Sequence, residues 1–379
     1  MSGATIEAEA VAVSEAVALL VTRHFSLRWG GGEHSIAAVV DEMKAARPDW
    51  AWAVTDGGFD PPDRLRPLPL MQLLVRRDEL CRAAQAFRGR LALIQSLVGP
   101  AMLNAMPESV ATVYFLRDVA YWDQWPNHER GLRRAAKSLY RTAMAPAVLA
   151  FRQDVRLAMG RAGLLVANSA FMAGRIRAFA GRDSLVVFPR TPVAPAPLPA
   201  GTVVGVVGDG ADKGGLMVRA LARRFPHLTF RIHARRLAAE PLPPNVVVAG
   251  WETDHARLYD GVRLMLMPSQ VEEAYGRVAA EALGFGVPVL VSRTGGLPEA
   301  VPGPDWTVED YRNPEAWCAA FAGAWDGAPD RRDEAHRFAV ARGREVDEQH
   351  HYLARQVVAL VEAGGVEAGG VEALGARPA

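Results

Sequence analysis

Residues 267–300 read MPSQVEEAYGRVAAEALGFGVPVLVSRTGGLPEA, and this stretch decides the fold. An apolar run closes at Pro268-Ser269, a loop carries Glu273, and a helical stretch over 277–284 begins after Gly276. Gly286 and Pro288 then frame the next apolar run, 287–291. Strand, loop, helix and strand in this order form the repeating unit of a parallel sheet, which binds ligands beyond the carboxyl ends of its strands. A helix starting at Gly276 offers unpaired N–H groups and the positive end of its dipole to an anion. Gly276 lets the backbone come close to a phosphate. Glu281, a turn and a half into the helix, is placed to take a ribose diol with both carboxylate oxygens. Glu273, just before the helix, is placed for the hydroxyls of a sugar on the far side of the phosphates.

The same rhythm continues outward. Strands are predicted at 202–207, 229–233, 246–249 and 262–267, with helices near 213–224, 254–260 and 315–325. Upstream, PRTPVAPAPLP (189–199) holds five prolines, which fix φ and remove donors, so it reads as a semi-rigid linker. Before it, a second alternating series predicts strands at 17–21, 51–54, 91–95, 110–116, 163–167 and 185–188. The first of these leads to a glycine loop, Gly30-Gly31-Gly32, and a helix over 35–44. The expected organisation is an N-terminal Rossmann-like domain over 16–190, a linker over 191–200 and a C-terminal Rossmann-like domain over 201–330. A long helical region over 331–362 and a glycine-rich, disordered tail over 363–379 complete it.

Composition excludes several classes. At 379 residues the chain exceeds what one hydrophobic core usually organises. Its 43 Lys and Arg balance 42 Asp and Glu, which leaves no electrostatic footprint for nucleic acid. The two cysteines, Cys81 and Cys318, make neither a disulfide framework nor a zinc site, and a reducing compartment suits them. The acidic start (Glu7, Glu9, Glu15) does not fit a secretory signal, and no run of 18 apolar residues is present to span a bilayer. The reading is a cytoplasmic protein. Residues 130–161 carry eight Lys and Arg against Asp154 alone. A solvated basic face interrupted at Pro146 is the commoner meaning of such a stretch, and peripheral contact with an anionic membrane surface stays open.

The frame Pro268-Ser269, Glu273-Ala274-Tyr275-Gly276, Glu281-Ala282, Gly286, Pro288-Val289, Gly295-Gly296 and Glu299 resembles the retaining glycosyltransferases of family 4. The resemblance implies a GT-B fold, α/β, with two Rossmann-like domains facing each other across a cleft. It implies sugar transfer from a nucleotide-diphosphate-sugar to an acceptor hydroxyl, with no cofactor and no metal; no Asp-x-Asp motif is evident. Lys213 in GDGADKGG matches a lysine that contacts the donor diphosphate, and Gly31 and Gly32 match a loop near the reaction centre. Donor binding would use Lys213, Ala274, Tyr275, Gly276, Arg277, Val278 and Glu281, with base contacts near Trp251. Glu273, Arg117 and Asp118 are the catalytic candidates. The acceptor, whether glycan, lipid-linked or small molecule, is not named by the sequence.

Two departures stand out. Gly208 is followed by Asp209 where the family often has an arginine, so Asp209 is expected to point away from the phosphates or to cap the next helix, with Arg277, Arg235 and Arg236 as substitute cations. FLRD puts Arg117 where a histidine usually precedes the aspartate. These departures keep two other readings open: an inactive sugar-nucleotide-binding partner subunit, and an epimerase on the same fold.

Overall fold

A computed structural model describes residues 17–21, 31–55, 69–95, 99–117, 131–234 and 241–364. The described chain forms two compact units, each built on one six-stranded parallel sheet. The first sheet holds β1 (Ala18–Val21), β2 (Trp52–Thr55), β3 (Leu91–Ile94), β4 (Ala111–Leu116), β5 (Leu164–Ala167) and β6 (Leu185–Val186), in the order β2-β1-β3-β4-β5-β6. β1, β3, β4 and β5 are buried at every position, which is why they read as unbroken apolar runs and not as alternating ones. The helices of this unit are α1 (Gly31–Ala46), α2 (Pro69–Ala86), α3 (Gly99–Ala105), α4 (Gly131–Arg161, which belongs here from Ser138 onward) and α5 (Ala170–Ala180).

The second sheet holds β7 (Val203–Val207), β8 (Thr229–His233), β9 (Val246–Val248), β10 (Val262–Met267), β11 (Val289–Ser292) and β12 (Thr307–Val308). Its order is β12-β11-β10-β7-β8-β9, so chain order reverses between β7 and β10. That reversal opens a crevice at the carboxyl ends of the two strands, the usual ligand position of a doubly wound sheet. The helices here are α6 (Gly215–Arg224), α7 (His255–Tyr259), α8 (Arg277–Gly284) and α9 (Pro314–Gly327). One core packs Val204, Val206, Phe230, Ile232, Leu264 and Leu266 of the sheet against Val218 and Leu221 of α6 and Trp317 and Phe321 of α9.

α10 (Arg332–Glu362) serves both units. Its residues to Asp347 group with the second, and from Glu348 Leu353, Val357 and Leu360 join the core of the first. No described helix is long and apolar enough to cross a membrane.

Three local expectations change. α1 begins at Gly31, four residues before the predicted start, because a helix's first turn tolerates glycine better than its interior does. α4 runs through Pro146 without ending there: Met144, Ala147, Phe151 and Val155 are buried on either side and hold the turns in place. The proline-rich stretch is pinned to the second unit. Ala194 donates its N–H to Gly284 at 2.9 Å, Leu198 donates to Phe285 at 3.0 Å, and Arg332 donates to the Leu198 carbonyl.

Candidate functional site

Two loops leave the crevice in the second unit, residues 208–214 after β7 and residues 268–276 after β10. They lie against each other. Gln270 donates its N–H to Asp212 at 2.8 Å, and a Cβ on Gly214 would meet the Pro268 carbonyl oxygen at 2.0 Å. Gly214 also holds φ +77, so the position excludes side chains on both counts.

Asp209, the residue expected to point away or to cap, turns inward. Its carboxylate takes both arms of the Arg219 guanidinium at 2.5 and 2.8 Å, with the two side chains 0% and 1% exposed. Gly214, the N-cap of α6, brings no side chain of its own to the helix start. A carboxylate this deep is tolerated only when paired, and Arg219, one turn into α6, supplies the partner.

Lys213 donates to Glu273 Oε1 at 2.5 Å, and Ser269 Oγ donates to the same oxygen at 2.7 Å. Burial alone would lower the Lys213 pKa, but the facing Glu273 charge outweighs it and holds the value above the ordinary lysine range. The loop bearing Glu273 is fixed from behind by Gly295-Gly296: Gly296 donates its N–H to the Glu273 carbonyl at 2.7 Å.

α8 starts after Gly276, whose φ of +109 only glycine adopts easily and which puts no side chain over the helix start. Glu281 is buried inside a polar network. Arg277, one turn earlier, donates to Oε1 at 2.7 and 3.1 Å. Tyr259 Oη donates to Oε2 at 3.4 Å, and His255 Nε2 lies 3.6 Å from that oxygen. Burial would raise the Glu281 pKa, but His255 and Arg277 together hold it below the ordinary carboxylate range. Arg277 is therefore engaged with Glu281 through the i,i+4 pair.

Among the other predicted residues, Ala274 lies in the loop behind Glu273, and the Val278 carbonyl lies 3.3 Å from Tyr259 Oη, where it shares the single phenolic proton with Glu281. Tyr275 is buried, which pushes its phenol up to about 12, so its backbone is what it can offer a ligand. Trp251 is exposed in the loop after β9. Gly31 and Gly32 open α1, and Arg117 follows β4 with its guanidinium 5.3 Å above the Phe115 ring, all in the first unit. Asp118, Arg235 and Arg236 lie outside the described residues. Among the described residues no group of three or more His, Cys, Asp or Glu could hold a metal ion.

Sequence reasoning missed His255, Tyr259 and Arg219. Asp254 does announce the start of α7, accepting from Ala256 and Arg257, but nothing local says that His255 stacks on Phe285 at 12° beside Glu281. Those partners are set by tertiary packing.

Residues 206–326 match the family of glycosyl transferases group 1. The D-inositol 3-phosphate glycosyltransferase of Corynebacterium glutamicum is 35% identical over 102 residues, which is 25% of this chain and 22% of that protein. Its counterpart from Mycobacterium marinum is 39% identical over 83 residues, 22% of this chain and 16% of that one. The chain thus spans about a fifth of the length of these curated relatives. In fold it is similar to a sucrose-phosphate synthase of Thermosynechococcus elongatus, with a TM-score of 0.67 at 16% identity, over 90% of this chain and 99% of that one. It is also similar to HepE of Anabaena in complex with UDP and glucose, with a TM-score of 0.62 at 17% identity, over 91% of this chain and 100% of that one. The architecture, α/β with two parallel six-stranded sheets, is that of the GT-B glycosyltransferases.

Proposed function

We propose that the chain is a retaining, metal-independent glycosyltransferase whose second unit binds a nucleotide-diphosphate-sugar. The observation that carries this reading is the meeting of two helix N-termini, each opened by a positive-φ glycine (Gly214 and Gly276), with Lys213 at the switch point of the second sheet. Oriented N–H groups and a fixed ammonium stabilise a departing diphosphate without reorganising during the reaction. Lys213 provides the positive charge, while Asp209 is spent on Arg219 and brings no repulsion to the loop.

Glu273 neutralises Lys213 through their ion pair. A diphosphate competes for that lysine, and Glu273, released, turns to the hydroxyls of the transferred sugar. Glu281 holds the ribose, oriented by Arg277, Tyr259 and His255. The departing phosphate oxygen takes the acceptor proton on the face it leaves. Arg117 and Asp118 stand as candidates on the acceptor side. The UDP and UDP-glucose held by the Anabaena HepE structures make uridine donors the first to test.

A thermal-shift panel of UDP, GDP, ADP and dTDP with their sugars tests the reading. At one hundred times its Kd, a ligand of the native state adds about 2.7 kcal/mol, which for a domain of this size is roughly 5–10 °C. One nucleotide class is expected to give that shift, and nucleotide release with an acceptor hydroxyl present then separates an enzyme from an inactive binding subunit. A panel with no response removes the proposal.

A further inference from the structure

In sequence, residues 130–161 fit either a solvated basic face or contact with an anionic membrane. The helix they form separates the two. From Ser138 onward α4 belongs to the first unit, and Met144, Ala147, Phe151, Val155, Ala158 and Met159 mark its buried side. A solvated basic helix turns its charges straight outward, opposite that side. Here the outward side is apolar. Leu139, Leu149 and Leu157 stand out at 74%, 64% and 52% exposed, and Ala143, Pro146 and Ala150 lie exposed between them. The polar members of this file, Thr142 and Gln153, carry no charge. From Leu139 to Leu157 it runs roughly 27 Å along the helix. Scattered exposed leucines are ordinary, whereas a continuous file of them marks a surface that something covers.

The charges sit along one edge of the file. Arg152 and Arg156 lie over the Phe179 ring of α5, their guanidinium carbons 5.5 and 4.9 Å from its centroid, and Arg175 lies 5.3 Å from the centroid of Phe171. Both rings are half-buried, so this edge offers cations mounted on apolar bodies. Counter-charge is scarce. Residues 131–182 hold ten Lys and Arg against a single acid, Asp154. That carboxylate is already taken by Arg77 of α2, at 2.9 and 3.2 Å. Asp183, just beyond α5, is paired with Arg177.

A row of leucines edged by arginines fits a partner with an apolar interior and an anionic surface. Nucleic acid has the phosphates but no apolar layer to receive the leucines. A second copy of this chain has the leucines but repeats the same positive edge and brings no acid to meet it. A bilayer containing anionic lipids has both. We propose that α4 and the adjoining face of α5 bind an anionic membrane surface. α4 lies in the plane of the bilayer, with Leu139, Leu149 and Leu157 entering among the acyl chains and Arg152, Arg156 and Arg175 meeting the lipid phosphates. This surface is in the first unit and does not depend on the donor-site reading of the second.

The test floats the full-length chain with vesicles of phosphatidylcholine alone and with vesicles of phosphatidylcholine and phosphatidylglycerol in equal parts, at low and high salt. Wild type should float with the anionic vesicles and not with the neutral ones, and high salt should release part of it. Leu139→Ser, Leu149→Ser and Leu157→Ser together remove the inserted side chains, while Arg152→Gln with Arg156→Gln removes two charges. Each set should weaken binding to the anionic vesicles about tenfold. The substituted side chains lie outside the core, so both variants should melt with the wild type. The arginine set leaves every leucine in place, and so tests the contact even where serine at three positions disturbs packing. Equal flotation with both kinds of vesicle overturns the proposal, as does binding that survives in both variants or no flotation at all. So does a dimer that the leucine set dissociates in sedimentation while vesicles go unbound, which would make the file an interface between copies.

Discussion

Removing Asp209 should destabilise the second unit sharply, and removing its partner as well should restore most of the loss. In Asp209→Ala the Arg219 guanidinium, 1% exposed, loses both carboxylate oxygens and keeps the neutral Gly215 carbonyl at 2.8 Å. Breaking a buried pair from one side costs about 3–5 kcal/mol, because the remaining charge is desolvated without compensation. For a domain of this size that lowers Tm by roughly 10 °C. Asp209→Leu combined with Arg219→Met removes both charges and keeps side-chain volume, and such exchanges are often neutral or stabilising. Calorimetric melting of the wild type, the single variant and the double variant reads the pattern directly. Because Asp209 turns away from the loop's open side, nucleotide affinity in the double variant should stay within about threefold of wild type. A single variant that melts within about 2 °C of wild type, or a double variant no better than the single one, would refute the reasoning.

Other expectations follow from the same contacts. Gly214→Ala forces a Cβ against the Pro268 carbonyl at positive φ, so it should cost about 2 kcal/mol or more and weaken nucleotide binding, seen in urea unfolding and titration. Glu273→Gln frees Lys213 from its counter-charge, so affinity for a nucleoside diphosphate lacking sugar should rise several-fold while the preference for the sugar-bearing donor shrinks; unchanged affinities would contradict the exchange. Glu281 has a folded pKa below its ordinary value of 4.5, so its contribution to stability is complete above that value and is lost as pH falls through the folded one. The gap in Tm between wild type and Glu281→Gln should therefore be steady from pH 7 to 5 and close on going toward pH 3.

Much of the second unit was legible because its strands are buried runs separated by glycine-marked loops. α8 starts and stops at Arg277 and Gly284, as the spacing predicted, since Gly276 and Gly286 frame it. β12 escaped notice because two residues, Thr307 and Val308, are too few to show any period. Lys213 and Glu273 were singled out separately, but their ion pair, 60 residues apart in sequence, comes from two loops pressed together. Asp209 shows the limit most clearly. A local reading sees an acid after a glycine and lets it point away or cap the next helix, but it cannot show that an arginine on that helix claims the carboxylate. The network around Glu281 likewise depends on which faces of α7 and α8 meet, and that information is spread over the whole unit.

The central claim is that Lys213 and two helix N-termini form a diphosphate site in the second unit, and titration calorimetry with the nucleotide that the thermal panel selects tests it most directly. Wild type should bind saturably at one site per chain, and Lys213→Ala should weaken binding by at least tenfold while melting within a few degrees of wild type, since the lysine side chain is 41% exposed and its ion pair is only partly buried. Equal affinity in the two proteins would contradict the account.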